Sequence, residues 1–102
     1  MREYRFKRGY KASEERLEEL LKKFFKDYRR EGKFYFASFG AMEVMKVWIE
    51  NGRLCVETKT NPNVPEDVAI QTIKTYNKFL EELTGYTAKE RAKMMKKEAE
   101  SE

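Results

Sequence analysis

Histidine is missing from this chain of 102 residues. Its absence removes imidazole acid–base catalysis, histidine metal ligation and serine–histidine nucleophile pairs. A single cysteine, Cys55, excludes an intramolecular disulfide and a thiolate metal site. With no base identifiable beside it, Cys55 reads as a small apolar filler rather than a nucleophile. Glycine is scarce, and no phosphate-cradling loop can be built from it. Gly40, Gly52 and Gly85 stand at turns or caps, while Gly9 and Gly32 flank the first helix. No apolar run approaches the roughly 18 residues of a membrane span. The opening Met1-Arg2-Glu3-Tyr4-Arg5 lacks the apolar core of a secretory signal. These absences lead us to expect a soluble cytoplasmic protein with no catalytic group, no metal and no cofactor.

Aromatic residues are plentiful, with seven Phe, six Tyr and one Trp, which argues for a packed core. The length suits one domain, expected over residues 1–98, with 99–102 as a frayed tail. Glu (16) far outnumbers Asp (2), and Lys reaches 14. That balance is a hyperthermophile pattern, although Glu and Lys are also good helix formers. On the helices they pair at i,i+4, as Glu18 does with Lys22 and Glu19 with Lys23. The net charge of +4 sits wholly in residues 1–11, where Arg2, Arg5, Lys7, Arg8 and Lys11 oppose only Glu3. Such an arm suits an acidic partner or a charge-protected edge strand.

The clearest local signal is Asn51-Gly52 between two alternating runs. A type I′ turn needs positive φ at both central residues, and this dipeptide supplies it. The turn sets Trp48 opposite Cys55, Lys46 opposite Glu57 and Glu50 opposite Arg53. Residues 34–39 read as a further strand, with Gly40-Ala41 as a two-residue turn that pairs Phe36 with Met45 and Phe34 with Val47. Residues 2–8 read as an N-terminal strand. Ser13 caps a helix whose stripe is Leu17, Leu20, Leu21, Phe24 and Tyr28, stopped by Gly32. Pro65 opens a second helix with the stripe Ala69, Ile73, Tyr76, Leu80 and Leu83, stopped by Gly85. Thr87-Ala88-Lys89-Glu90 is a capping box that starts a third. Its weak apolar stripe is Ala88, Ala92 and Met95.

The element order is β-α-β-β-β-α-α. It predicts an α+β domain of two layers, an antiparallel sheet packed on two main helices, with the sheet made of a three-stranded meander plus the N-terminal strand. The expected inner face is Phe34, Phe36, Met45, Val47, Ile49, Leu54 and Val56. The expected outer face holds an apolar strip of Tyr35, Ala37, Phe39, Val44, Trp48 and Cys55 among charges. Three things could cover that strip: the third helix, a second subunit, or a ligand stacked on Trp48 and Tyr35 beside Arg53 and Lys46. Glu43 falls on inner-face parity near the rim, and is expected to snorkel there.

Two stretches, Val47-Trp48-Ile49-Glu50 with Leu54-Cys55-Val56-Glu57-Thr58, and Thr84-Gly85-Tyr86-Thr87-Ala88-Lys89-Glu90-Arg91, resemble a small archaeal family of uncharacterised proteins. The resemblance covers about half of the chain. It implies a cytoplasmic archaeal origin and transfers no site residue. The order α-β-β-β-α within 13–84 is also similar to double-stranded RNA-binding domains and the Alu-binding proteins of the signal-recognition particle. Those binders grip phosphates with lysines at the start of the last helix, where this chain has Pro65-Glu66-Asp67.

Two function classes follow. The first is a non-catalytic interaction module, a homodimer through Tyr35, Phe39, Val44, Trp48 and Cys55. The alternative is binding of RNA or DNA through Arg2, Arg5, Lys7 and Arg8 together with Lys89, Arg91, Lys93, Lys96 and Lys97 on the third helix. An enzyme or small-ligand carrier is the third option, and the missing imidazole and thiolate chemistry counts against it. Neither a membrane nor a small-molecule ligand is expected.

Overall fold

A computed structural model describes residues 1–25 and 27–100, the side chains of 98–100 excepted. The Asn51-Gly52 turn organises it. Both residues take positive φ, 53° and 72°, as a type I′ turn requires. β4 (Met42–Glu50) and β5 (Arg53–Thr60) pair across it in the expected register, Trp48 with Cys55, Lys46 with Glu57 and Glu50 with Arg53. β1 (Arg2–Tyr4) joins the far side of β5, antiparallel, with Glu3 opposite Cys55. It is shorter than the expected 2–8.

β3 (Phe34–Phe39) returns through Gly40-Ala41 as expected, with Phe39 opposite Met42. Beyond that pair the register departs from expectation. Ala37 lies opposite Met45 and Tyr35 opposite Val47, one residue away from the predicted pairing. The cause is a bulge in β4, where the pairing with β5 skips from Met42 to Val44 and leaves Glu43 as the extra residue. Without it, inner parity would aim a carboxylate at the core. With it, Glu43 stays exposed, 3.8 Å from Lys59. A one-residue slip exchanges the faces of a strand. Tyr35 and Ala37 therefore join the core, and Phe34 and Phe36 take the outer face.

The sheet also gains a strand. α1 (Glu14–Phe25) ends sooner than its stripe implied, and β2 (Tyr28–Glu31) hairpins onto β3 through Gly32-Lys33. Tyr28 met the helical spacing, but Gly32, at φ 61°, serves a hairpin rather than a helix stop. The result is a five-stranded antiparallel sheet in the order β1-β5-β4-β3-β2 with three helices, an α+β fold. Four strands now separate α1 from α2, so the likeness to the α-β-β-β-α RNA-binding order does not extend to topology.

α2 (Glu66–Thr84) and α1 cover the inner face. Leu17, Leu21 and Phe25 meet Tyr35, Met45, Val47, Leu54, Phe79, Leu80 and Leu83 there. Phe25 and Phe79 pack edge to face at 5.1 Å. The N-terminal half of α2 is turned relative to its expected stripe. Ile73 is 60% exposed, while Thr72 is buried. Thr72 Oγ1 accepts the Ala41 N–H at 2.9 Å and donates to Val68 O at 2.7 Å. It sits so close over Gly40 that a Cβ there would collide with it. Hydrogen bonding at the hairpin turn thus outweighs an isoleucine's preference for the interior.

α3 (Ala88–Glu100) starts at the expected capping box: Thr87 N–H donates to Glu90 Oε1 at 2.9 Å and Glu90 N–H to Thr87 Oγ1 at 3.2 Å. It packs beside α2 with Met95 against the core, and so does not cover the outer sheet face. The expected fraying of 99–102 lies outside the fully described residues. Among those described, no helix is long and apolar enough to cross a membrane.

Candidate nucleic-acid interface

The two basic segments meet at one end of the molecule, and the chain path explains why. After β1 the backbone crosses to the C-terminus of α2, where Lys7 N–H donates to Thr84 O at 2.7 Å. Gly85 turns the chain there at φ 86°, with its N–H on Glu81 O. The Tyr10 ring lies so close that a Cβ on Gly85 would be 2.7 Å from it. Arg16 closes the corner. Its guanidinium donates to Lys11 O, Leu83 O and Glu82 O and lies over Tyr10 at 5.6 Å. These bonds occupy carbonyls that a helix end leaves open. The capping box then lays α3 beside β1.

Residues 1–11 carry five cations and one carboxylate, and residues 88–97 again five and one. Lys89, Lys93, Lys96 and Lys97 are exposed on α3, as are Arg5, Lys7 and Arg8 on the N-terminal segment. Tyr86, Met94 and the lysines 93, 96 and 97 line an open groove of about 620 Å³ with Glu90 on its rim. Glu90's carboxyl is held below the usual range, first by its Thr87 hydrogen bonds and further by Lys7's charge. Arg5 borders the strip between β1 and α3. Arg8 and Lys89 line neither the groove nor the strip.

Arg91 differs from the rest. It is 5% exposed, so it is no surface cation. It donates to Tyr86 O at 2.6 Å and to Asn77 Oδ1 at 3.1 Å, and lies over the Tyr4 ring at 5.6 Å. Among the described residues no carboxylate forms an ion pair with it, and burial lowers its pKa against the smaller opposing effects of Tyr4, Tyr76 and, last, Glu81. Arg2 stands nearby, with Tyr4 raising its pKa through a hydrogen bond. Burial pushes the Tyr76 phenol well up, helped by Tyr4. Arg2, Tyr4, Tyr76, Asn77 and Arg91 line a cleft of about 380 Å³ between β1, α2 and α3. Sequence reasoning missed Tyr4, Tyr76 and Asn77 as site residues. One signal was available: Ala88, Arg91, Ala92 and Met95 fall at i, i+3, i+4 and i+7, which sets an arginine on the apolar stripe of its helix.

The outer sheet face is built differently. Tyr35 and Phe39, expected there, lie on the helix side instead, Tyr35 fully buried and Phe39 packed on Phe25 at 6.0 Å. Their removal follows from the bulge. Trp48, Cys55 and Val44 do lie on the outer face. Trp48 is only 5% exposed, although no helix covers it. Phe34 meets it edge to face at 5.2 Å, and Lys46 Nζ lies 4.3 Å from the Phe34 ring centre and 5.3 Å from that of Trp48. Lys33 also lies over Phe34, at 5.4 Å, and pairs with Glu50. Arg29 lies over Phe36 at 5.0 Å. Cys55 is fully buried, its thiol 3.9 Å from Glu3 Oε1, with its pKa raised by burial first and by Glu3 second. A thiol so placed is a poor nucleophile. Val44 stays 40% exposed.

Among the described residues, no three His, Cys, Asp or Glu gather closely enough to hold a metal ion. No curated protein matches the chain. A solved structure does, the NMR solution structure of hypothetical protein TA0095 from Thermoplasma acidophilum. It is 31% identical, with a TM-score of 0.69, over 93% of this chain and 97% of that one. The archaeal resemblance seen in the Val47–Thr58 and Thr84–Arg91 stretches thus extends along almost the whole chain. A family model, Domain of unknown function (DUF5611), matches residues 1–97, and the chain belongs to that family.

Proposed function

We propose that this protein is a non-catalytic interaction module that binds nucleic acid along its basic end. One observation carries the reading: the β1 segment and the 88–97 stretch of α3, each with five cations to one carboxylate, lie side by side. Lysines spaced along one side of a helix beside a groove suit a phosphate backbone, which is read by charge and not by sequence. Glu3 and Glu90 interrupt the strip and limit the number of phosphates it can neutralise. Binding therefore weakens with salt, the logarithm of affinity falling by about 0.7–0.9 per phosphate neutralised. Fluorescence anisotropy with labelled single- and double-stranded RNA and DNA across a salt series tests this. The triple variant Lys93→Glu, Lys96→Glu, Lys97→Glu, altered only at exposed positions, should fold as wild type and lose most of the affinity. Equal binding by that variant, or none by the wild type at low salt, ends the reading.

Self-association through the outer sheet face is a second reading, favoured by that face's lack of a helix layer. Its members become Val44, Trp48 and Cys55 with Phe34 and Phe36 in place of Tyr35 and Phe39. The exposed Val44 is the residue to test. Light scattering should give a dimer mass that persists in high salt, and a monomer for Val44→Glu. A wild-type monomer, or a Val44→Glu dimer, removes it.

A further inference from the structure

We propose that the cleft floored by Arg91 and Tyr4 and rimmed by Arg2, Tyr76 and Asn77 is a binding site for a phosphate monoester group. A buried cation without a counter-charge is costly, because its lost hydration is not replaced. Arg91 is close to that position: nearly all of its surface is covered, its hydrogen-bond partners among the described residues, Tyr86 O and Asn77 Oδ1, are neutral, and Glu81 is the weakest of the charges acting on it. Those two bonds use two of a guanidinium's five N–H donors and leave three. Asn77, accepting through Oδ1, keeps its amide N–H groups to donate. Arg2, Tyr4 and Tyr76 line the same cleft as Arg91, so the phenols and the second guanidinium converge on one space. No described carboxylate lines the cleft. A lining made of two guanidiniums, two phenols and an amide offers a tetrahedral dianion many donors and no repelling charge. Arginine's planar fork matches phosphate oxygens in pairs. The volume of about 380 Å³ takes more than a bare phosphate, and Ala88, Ala92 and Met95 give it an apolar wall for what the phosphate is attached to.

For its carrier the proposal rests on the nucleic-acid reading: a 5′-terminal phosphate is the monoester that a strand lying on the neighbouring lysines would bring. The test separates the site from the carrier. Inorganic phosphate is titrated into the full chain by calorimetry, with thermal unfolding followed in phosphate and in chloride of equal ionic strength. Phosphate should bind and raise the melting temperature beyond chloride. Arg2→Gln, at an exposed edge position, should weaken phosphate binding about tenfold or more, as expected for loss of a charged bidentate donor. Tyr76→Phe should weaken it less. Arg91→Gln is not the deciding variant, since Arg91 also fastens α3. No preference for phosphate over chloride, or wild-type phosphate affinity in both Arg2→Gln and Tyr76→Phe, overturns the site. Oligonucleotides with 5′-phosphate and 5′-hydroxyl ends then test the carrier. Tighter binding of the phosphorylated strand, abolished by Arg2→Gln, supports both readings. Phosphate binding without any oligonucleotide binding supports the cleft and overturns the nucleic-acid reading.

Discussion

The outer sheet face and the β1–α3 end are made from the same parts, long cations and aromatic rings, and use them to opposite effect. On the outer face each cation has an occupation. Lys46 spans Phe34 and Trp48, Lys33 covers Phe34 and pairs with Glu50, and Arg29 covers Phe36 and lies 3.6 Å from Glu31. The lysine stems shield apolar surface while their charges stay wet, so a face without a helix layer still buries its tryptophan. At the other end Arg91 also lies over a ring, that of Tyr4, yet it meets only neutral acceptors. The lysines around it point to solvent. Cation–aromatic contact is thus no sign of function by itself. What distinguishes the two is that Lys33 and Arg29 have a carboxylate beside them and Lys46 is only half-buried, whereas Arg91 is buried among neutral acceptors.

The comparison is broken most directly at Trp48. If the outer face really covers itself, Trp48 is a core residue in all but location. Trp48→Ala should then cost about 3–5 kcal/mol, the range for emptying a buried aromatic site. For a domain of this size that lowers the melting temperature by more than about 10 °C. A loss within about 1 kcal/mol would mean that the side chain is exposed in solution. A smaller effect sharpens the point. Lys46→Gln keeps the length of the stem and removes the charge over two rings. It should cost about 0.5–1 kcal/mol, the worth of a cation–aromatic contact that is still partly hydrated. Denaturant unfolding resolves a difference of that size. No change would assign the shielding to the stem alone.

How much of this was legible depended on whether a signal was local. Asn51-Gly52 names its own turn, so the Trp48–Cys55 pairing was readable without any tertiary knowledge. The slip of β3 was not, although its trace is in the sequence: Glu43 sits on inner-face parity, and a bulge is the way a strand expels a carboxylate from the core. β2 was hidden because Tyr28 satisfies the spacing of the helix before it, and only pairing with Ala37 makes it a strand residue. The thermodynamic choice there is made by the sheet, which propensity cannot see. The basic candidates were visible as composition, and their meeting was not, because β1 and α3 are joined only through the order of the strands. Arg91's place on the apolar Ala88–Met95 stripe was readable. Its lack of a carboxylate was not, since that depends on Tyr4 and Asn77 arriving from two other elements.

The smallest effect expected is in alkaline stability, and it separates the two regions by the group that titrates. Burial raises the pKa of Cys55 on the outer face and of Tyr76 in the cleft. Each group is neutral when protonated, so the unfolded chain releases its proton at lower pH than the folded one. Above the ordinary thiol range, about 8.5, the unfolded state therefore binds fewer protons, and stability falls with rising pH. Below that value the contribution is fully present and flat. A second, steeper decline begins near the ordinary phenol value of about 10, where Tyr76 and the buried Tyr35, also raised by desolvation, join. Cys55→Ala should remove the first decline and leave the second. Tyr76→Phe should leave the first and reduce the second, with Tyr35 supplying what remains. Thermal melts between neutral pH and the phenol range follow both. If Cys55→Ala falls as the wild type does below pH 10, the thiol is open to water, and the outer face does not close over it.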